Sequence, residues 1–468
     1  MDFYDISPTD KNVYETFVGN AVDRNAKVFK FISLINQIDI SCSISLDGAW
    51  GSGKTIFVKQ VKMILDILNN NRNSSDFSDE EREAIKNVFG NLCDKTTTIN
   101  SIKPHVSIYF DAWLNDNDAD PLISLVHSIA KDFSCRYKFD HAPNLSKVIS
   151  SVTMNFVSGI TNIDVNKIFD DCHFTNDLEE FEKTKELEQT ISEFLDSILH
   201  EHGERIIVFI DELDRCKPTY AVKLLERIKH YFSNQKITFV FSTNVKELVN
   251  TIKKLYGSDF DADRYLDKFF DLRLALPPIN VTDYLLEIGY GDTEEDSEII
   301  KKIISDYSLT MREICRFIKI YKLTKPSDLR VNNFLYSRGP VSKAVENGFH
   351  FLKTCVLPLL VALQLTDSKK FNNFITGKDS QPLVDLLHNI DFPYLSSLDI
   401  SSMPIYETKG NSCIKDVLSC LYQKIYNPSF EYDFYLYGNN LDNLKFDPKI
   451  VKVVHESLGL ISEFNKFE

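Results

Sequence analysis

Gly48-Ala49-Trp50-Gly51-Ser52-Gly53-Lys54-Thr55 fits the pattern G-x-x-x-x-G-K-[ST] without a mismatch. The flanks agree with it. Ahead of the octapeptide, Ile40, Cys42, Ile44 and Leu46 alternate with period two, as a strand does. Behind it, Ile56, Val58, Val61, Ile64, Leu65 and Leu68 fall mostly on one face at helical spacing. A strand, a glycine-rich turn and a helix N-terminus together form an anion trap: backbone N–H groups converge on phosphate oxygens and the helix end adds partial positive charge. Glycine is required where a Cβ would block the turn or the approach of phosphate. Gly48 to Ile56 are therefore the expected cradle. Lys54 would reach the β- and γ-phosphates, and the Thr55 hydroxyl would ligate Mg²⁺.

A second stretch, Arg205 to Asp214, reads R-I-I-V-F-I-D-E-L-D. Its unbroken apolar run at 206–210 is the mark of a central strand buried on both faces of a parallel sheet. Such strands end where nucleotides bind, at the carboxyl edge. Asp211 then occupies the position of a Walker B aspartate that holds Mg²⁺. Glu212 is placed to orient and deprotonate an attacking water. Taken alone, two carboxylates after a strand are an ordinary strand end meeting solvent; beside an intact phosphate loop, the nucleotide reading prevails.

The run Ile210-Asp211-Glu212-Leu213-Asp214-Arg215-Cys216, followed by Pro218 and a helix at 220–232, resembles the KAP family of P-loop NTPases. Three further stretches agree. Tyr109-Phe110-Asp111-Ala112-Trp113 is similar to that family's aromatic-Asn-Ala-Trp strand end. Tyr265-Leu266-Asp267-Lys268-Phe269-Phe270, leading to Leu276-Pro277-Pro278, is similar to its Tyr-Leu-x-Lys block and Leu-Pro-Pro strand. Met311-Arg312-Glu313-Ile314-Cys315-Arg316-Phe317 is similar to its Pro-Arg-x-x-x-Arg helix. The resemblance spans residues 15–325, in the family's motif order. It implies an additional-strand fold related to AAA+ and STAND switch ATPases, ATP with Mg²⁺, and a homo-oligomer. Because the family includes a plasmid-encoded phage-exclusion protein, it also implies a part in bacterial antiviral defence beside a separate effector. Two departures bear on the site. Asp111 stands where the family has Asn, so it either nears the water and γ-phosphate or caps the next helix. Met311 replaces the family's proline beside Arg312.

Many family members carry transmembrane segments between the two Walker motifs, and no such segment is read here. The insert at 139–182 is broken by Asn144, Ser146, Asn155, Asn162, Asp164 and Asn166. The longest apolar run, at 355–365, contains Gln364 and reads as a buried helix. The start of the chain carries Asp2, Asp5 and Asp10 where a signal peptide has basic and apolar residues. Nine scattered cysteines, odd in number and without a C-x-x-C pair, fit reduced thiols in a cytoplasmic protein rather than a zinc site. The formal charge of −15 disfavours nonspecific nucleic-acid or membrane binding, although Lys229, His230, Lys253, Lys254, Lys301 and Lys302 could form a local basic patch.

The expected organisation is an α/β P-loop NTPase core with a parallel sheet, a helical lid and a mainly helical C-terminal region. In residues this is a helical segment at 1–37, the core at 38–278, the lid at 279–325 and a C-terminal region at 326–468 without an assigned role. Within it, 69–83 is polar and reads as a loop, 105–110 and 237–242 as strands, and 186–200 as an amphipathic helix. Asn244 after the second of these strands is either a sensor that bonds the attacking water or a helix cap. Arg312, with Arg316 a turn on, is either an arginine sent to the γ-phosphate or a surface ion-pair partner. Arg264 and Lys268 are either a cationic finger offered to a neighbouring subunit or part of an ordinary helix before the last strand. The tract at 426–437 is rich in Tyr and Phe but has no Lys or Arg, which favours packing over base stacking. Two functions fit: an ATP-hydrolysing switch or motor, or a nucleotide-gated module that binds protein or nucleic acid and hydrolyses slowly.

Overall fold

The computed structural model of this chain describes residues 7–21, 23–70, 77–93, 97–118, 120–136, 177–232, 236–276, 280–287, 290, 296–324, 342–388, 410–427, 444–448, 451, 452 and 454. Most of the insert at 139–182, the Pro277-Pro278 pair, the interval at 326–338 and most of the aromatic tract lie outside the described residues. The chain forms two compact units, Ser7–Asn280 and Val281–Glu468.

The first unit is built on five parallel strands: β1 Cys42–Asp47, β2 His105–Asp111, β3 Arg205–Asp211, β4 Ile237–Thr243 and β5 Leu272–Ala275, in the order β2-β3-β4-β1-β5. Strand β4 stands between the phosphate-loop strand β1 and the acidic strand β3. That interposed strand is the additional-strand arrangement. All seven positions of β3 are buried, because each face meets a different helical layer. Ile206, Val208 and Ile210 face the core made with α5 (Pro121–Arg136), α6 (Asp177–His202), α7 (Pro218–Tyr231), α8 (Val245–Tyr256) and α9 (Ala262–Leu266). Ile207 and Phe209 face the core made with α1 (Asp10–Val18), α2 (Asn25–Gln37), α3 (Lys54–Leu68) and α4 (Asp79–Leu92). Each such side chain contributes about 1.5–3 kcal/mol by burial, which is why β3 carries no polar residue between Arg205 and Asp211.

Two expectations need correction. Residues 69–83 are not simply a loop. Buried Asn69 donates its amide to the carbonyls of His105 and His202, both at 3.0 Å. Ser78 and Glu81 form a reciprocal capping box that starts α4 at Asp79, so 79–83 are helix rather than loop, while 71–76 lie outside the described residues. The last strand lies earlier than its Leu-Pro-Pro signature, because proline has no N–H for the ladder. Its final rung is the Leu276 N–H, 2.7 Å from the Asp47 carbonyl.

The second unit is helical among the described residues: α10 (Val281–Glu287), α11 (Ser297–Asp306), α12 (Met311–Thr324), α13 (Lys343–Phe351), α14 (Leu357–Thr366), α15 (Ser368–Ile375), α16 (Gln381–Leu387) and α17 (Gly410–Tyr426). Buried Asp296 accepts hydrogen bonds from the hydroxyls of Tyr290 and Tyr321. Between α13 and α14 the backbone widens into a π turn at Leu352–Val356. Pro358 cannot donate to the carbonyl four residues back, and its ring would collide with it; the wider turn relieves both. Together these segments make one continuous helix, Lys343–Thr366, that by length and composition could cross a membrane. Of its most apolar window, 72% is buried inside the fold, as a core helix requires.

His105 opens β2 with 1% of its surface exposed. Burial, then the neighbouring Arg205 and Lys103, lower its pKa to about 4. An unfolded histidine binds its proton near pH 6.5. Stability is therefore unaffected by this group above that pH and falls as pH drops from there toward 4, on the order of 2 kcal/mol by pH 5. Chemical denaturation at pH 7 and pH 5 checks this: His105→Gln should lose less stability between the two than the unaltered chain. Equal losses would show that His105 does not contribute.

Candidate nucleotide site

The phosphate loop joins β1 to α3 through a turn only glycine takes easily. Gly51 and Gly53 have φ of 76° and 87°, in the left-handed region. A Cβ on Gly48 would stand 2.8 Å from Ser52 Oγ and 3.2 Å from Lys54 Cγ. Gly53 precedes α3 and brings no side-chain cap, so the first turn of the helix keeps its N–H groups for an anion. Ser52 Oγ is buried without a partner in this loop. The Lys54 ammonium donates to the carbonyls of Gly48 and, at 3.1 Å, Ala49. A cradle that a Cβ would fill, an orphaned hydroxyl and a lysine held only by carbonyls fit a phosphate chain.

The sheet register then lines up the acids. Asp111 pairs with Asp211, Asp211 with Ser242, and Asp47 with Thr243, so the strand ends meet at one edge. Asp211 is 1% exposed. Burial pushes its carboxyl upward, and the hydroxyls of Thr55, Ser242 and Tyr109 and the Glu212 N–H pull it back. Tyr109 donates to it at 2.9 Å and the Glu212 N–H at 3.0 Å. Lys54 is lowered by burial and raised by Asp214, Asp211, Glu212 and Asp47. One ammonium thus faces four carboxylates. Among the described residues no cluster of three or more His, Cys, Asp or Glu side chains is arranged to hold a metal by itself. Thr55 and Asp211, with phosphate oxygens, are what Mg²⁺ would use, since that ion commonly takes one or two carboxylates and the substrate's own oxygens.

Glu212 has a left-handed backbone with φ of 60°, a strained conformation of the kind that clusters at functional sites. Its carboxyl is raised to about 7 by burial first and Asp211 second, against Arg215. Arg215 is ion-paired with it, and the same guanidinium lies 5.4 Å from the ring centre of Trp113.

Two participants escaped the sequence reading. Asp214 accepts from Trp50 Nε1 at 2.5 Å, from Thr243 Oγ1 at 2.9 Å and from the Asn244 N–H at 3.1 Å. Arg24, 3% exposed, donates to the Ser52 carbonyl at 2.7 Å. The acid of the Leu-Asp-Arg run was legible as an acid, though not as a hub. Arg24 carries no local signal, because its target lies 28 residues away.

The other candidates separate. Asn244 caps α8, its side chain accepting from the Glu247 N–H at 3.4 Å. Asp111 accepts from the Leu114 N–H at 2.9 Å and closes the turn after β2. Arg264 and Lys268 are exposed in the segment leading to Asp271, whose N–H bonds the Ser43 carbonyl at the amino end of β1. That is about 15 Å of strand from the phosphate loop, at ~3.3 Å per residue. Arg312 and Arg316 are exposed on α12 of the second unit. Glu313, the residue after Arg312, accepts from the N–H and hydroxyl of Thr310, both at 2.8 Å.

A glycine-turn cradle, an interposed strand and an acidic pair closing a doubly buried strand define a P-loop NTPase of the additional-strand class. Within that class the chain belongs to the KAP family: the KAP family P-loop domain matches residues 26–327. An uncharacterized protein of Methanocaldococcus jannaschii is 28% identical in a stretch that covers 27% of this chain and 84% of that protein. The solved Aeropyrum pernix ORC2 protein, described in ADPNP–ADP complexes, aligns over 94% of both chains with 12% identity and a TM-score of 0.30.

Proposed function

We propose that the chain binds ATP with Mg²⁺ at this site and hydrolyses its terminal phosphoanhydride bond. The observation that carries this reading is the meeting of Lys54, Asp211 and Glu212 at the carboxyl edge beside the glycine turn. In this reading Lys54 would neutralise phosphate charge, Thr55 and Asp211 would hold the metal, and Glu212 would take the proton of the attacking water. The metal, when bound, offsets charge on the β- and γ-oxygens. ATP is preferred to GTP because the family resemblance points to it and no Asn-Lys-x-Asp motif is read in the sequence. Glu212→Gln keeps shape and hydrogen bonding but removes the base. It should bind ATP and turn over at least ~10²-fold more slowly; turnover at the rate of the unaltered chain would remove Glu212 from that role. The pairing of Glu212 with Arg215 favours a second reading, a nucleotide-gated binding module with little hydrolysis. Tight ATP binding with no measurable turnover by the unaltered chain would select it.

Assembly extends the proposal. Arg264 and Lys268 are exposed in a segment that enters the sheet at the amino end of β1, opposite the phosphate loop, and in this reading they serve a neighbour's site in a homo-oligomer. A Glu212→Gln protein mixed with an Arg264→Ala/Lys268→Ala protein should recover activity that neither has alone. A monomer in saturating ATP, with turnover independent of concentration, would end this reading.

The family resemblance further supports a cytoplasmic role in bacterial antiviral defence beside an effector protein. In that role plaque counts on cells expressing the protein in its native gene context should fall, and Lys54→Ala, which should lose most ATP affinity, should restore them. Equal plaque counts with and without the unaltered protein, across a panel of phages, would remove the defence role.

A further inference from the structure

Asp214 sits in a single 3-10 turn, Leu213–Arg215, directly after the strained Glu212. Three donors from two other elements converge on its carboxylate, which is buried. Oδ2 takes the indole N–H of Trp50, which belongs to the phosphate loop. Oδ1 takes Thr243 Oγ1 and the Asn244 N–H, which belong to the end of β4. The backbone of the same residue is anchored as well, its carbonyl accepting from Thr251 Oγ1 of α8 at 3.4 Å. Both carboxylate oxygens therefore have a donor from another element.

We propose that Asp214 is a positioning residue that ties the phosphate loop to the end of β4 through Trp50, so that the cradle and the Thr243–Asn244 corner move as one body. The consequence for ATP rests on the hydrolase reading above; the tie itself does not. Trp50 is 47% exposed, so packing alone does not fix its ring, and the N–H bond to a buried charge is what orients it. Hydrogen bonds to an ionised acceptor are about twice as strong as neutral ones, and this one spans 164 residues of sequence. The indole in turn fixes the outer limb of the loop between Gly48 and Gly51. The inner limb is held by Arg24 on the Ser52 carbonyl. The same carboxylate is the foremost of the acids that keep the Lys54 ammonium charged.

The amide of Asp214→Asn has one accepting end. It can satisfy Trp50 or the Thr243–Asn244 pair, and the NH₂ group then faces an N–H it cannot bond, that of the Asn244 backbone or of the Trp50 indole. Trp50→Phe removes the loop's donor and leaves the carboxylate bonded to β4, so it isolates the tie even if the first variant folds poorly. The chain has two tryptophans, and Trp113→Phe leaves Trp50 as the sole indole while keeping a ring for Arg215. In that background Asp214→Asn should red-shift the Trp50 emission. In the otherwise unaltered chain Asp214→Asn and Trp50→Phe should each speed amide exchange across residues 48–53. Each should also raise the ATP–Mg²⁺ dissociation constant roughly tenfold while lowering kcat by less. Because both act through one contact, the double variant should bind no more weakly than the weaker single one. Additive losses, or loop exchange left unchanged by Trp50→Phe, would overturn the proposal. If the unaltered chain binds no ATP, the hydrolase reading fails, and emission and exchange still decide whether Asp214 holds the loop.

Discussion

One buried ammonium, Lys54, stands against the carboxylates of Asp47, Asp211, Glu212 and Asp214, and the architecture around it keeps that imbalance tolerable. Like charges brought together out of water repel strongly unless donors share the load. Here each acid has its own. Asp47 takes the Val245 N–H at 2.9 Å, and Asp211 takes Tyr109 and the Glu212 N–H. Glu212 takes Arg215, and Asp214 takes Trp50, Thr243 and Asn244. The donors come from the strand ends, the phosphate loop and the turns between them. That is possible only because β1, β3 and β4 are parallel and in register, so that all end at the same edge.

The parts of this arrangement that are local in sequence were legible. An octapeptide with period-two residues before it and helical spacing behind it yields β1, the turn and α3. Five apolar residues before Asp211 yield β3, because a strand buried on both faces has nowhere to put a polar side chain. Most of what was missed is non-local. Asn69 reads as loop composition, yet it is a buried clamp between the carbonyls of His105, at the start of β2, and His202, at the end of α6. The Ser78–Glu81 box was present in the sequence but masked by the polarity around it. Asn244 shows the opposite case: its two readings had the same residue signature, and only the Glu247 N–H at its oxygen reveals the cap.

Past the stretch read as a lid, the part of the second unit from 326 on was read as mainly helical without an assigned role, for a physical reason. Amphipathic spacing encodes which face is buried and says nothing about what the exposed face meets. The apolar run at 355–365 illustrates this. Composition gives the length of Lys343–Thr366, and Pro358 marks where its hydrogen-bond ladder must change. Its surroundings are set by side chains such as Tyr321 and Phe317 from another helix, buried in the same unit.

The bonds at the nucleotide edge differ in how readily an anion can exchange them. Lys54 is held by the neutral carbonyls of Gly48 and Ala49, weaker partners than a phosphate oxygen, so the lysine gains by leaving them. The Glu212–Arg215 pair is partly solvent-exposed, with side chains 19% and 23% accessible, and a neighbouring charge can redirect it at modest cost. Asp214 is different, because breaking any of its three contacts leaves a buried charge or a buried donor unsatisfied. Phosphate binding therefore works on the first two and against a frame set by the third. The loop's glycines give the cradle its shape, and the acid three residues beyond the Walker aspartate holds that shape in place.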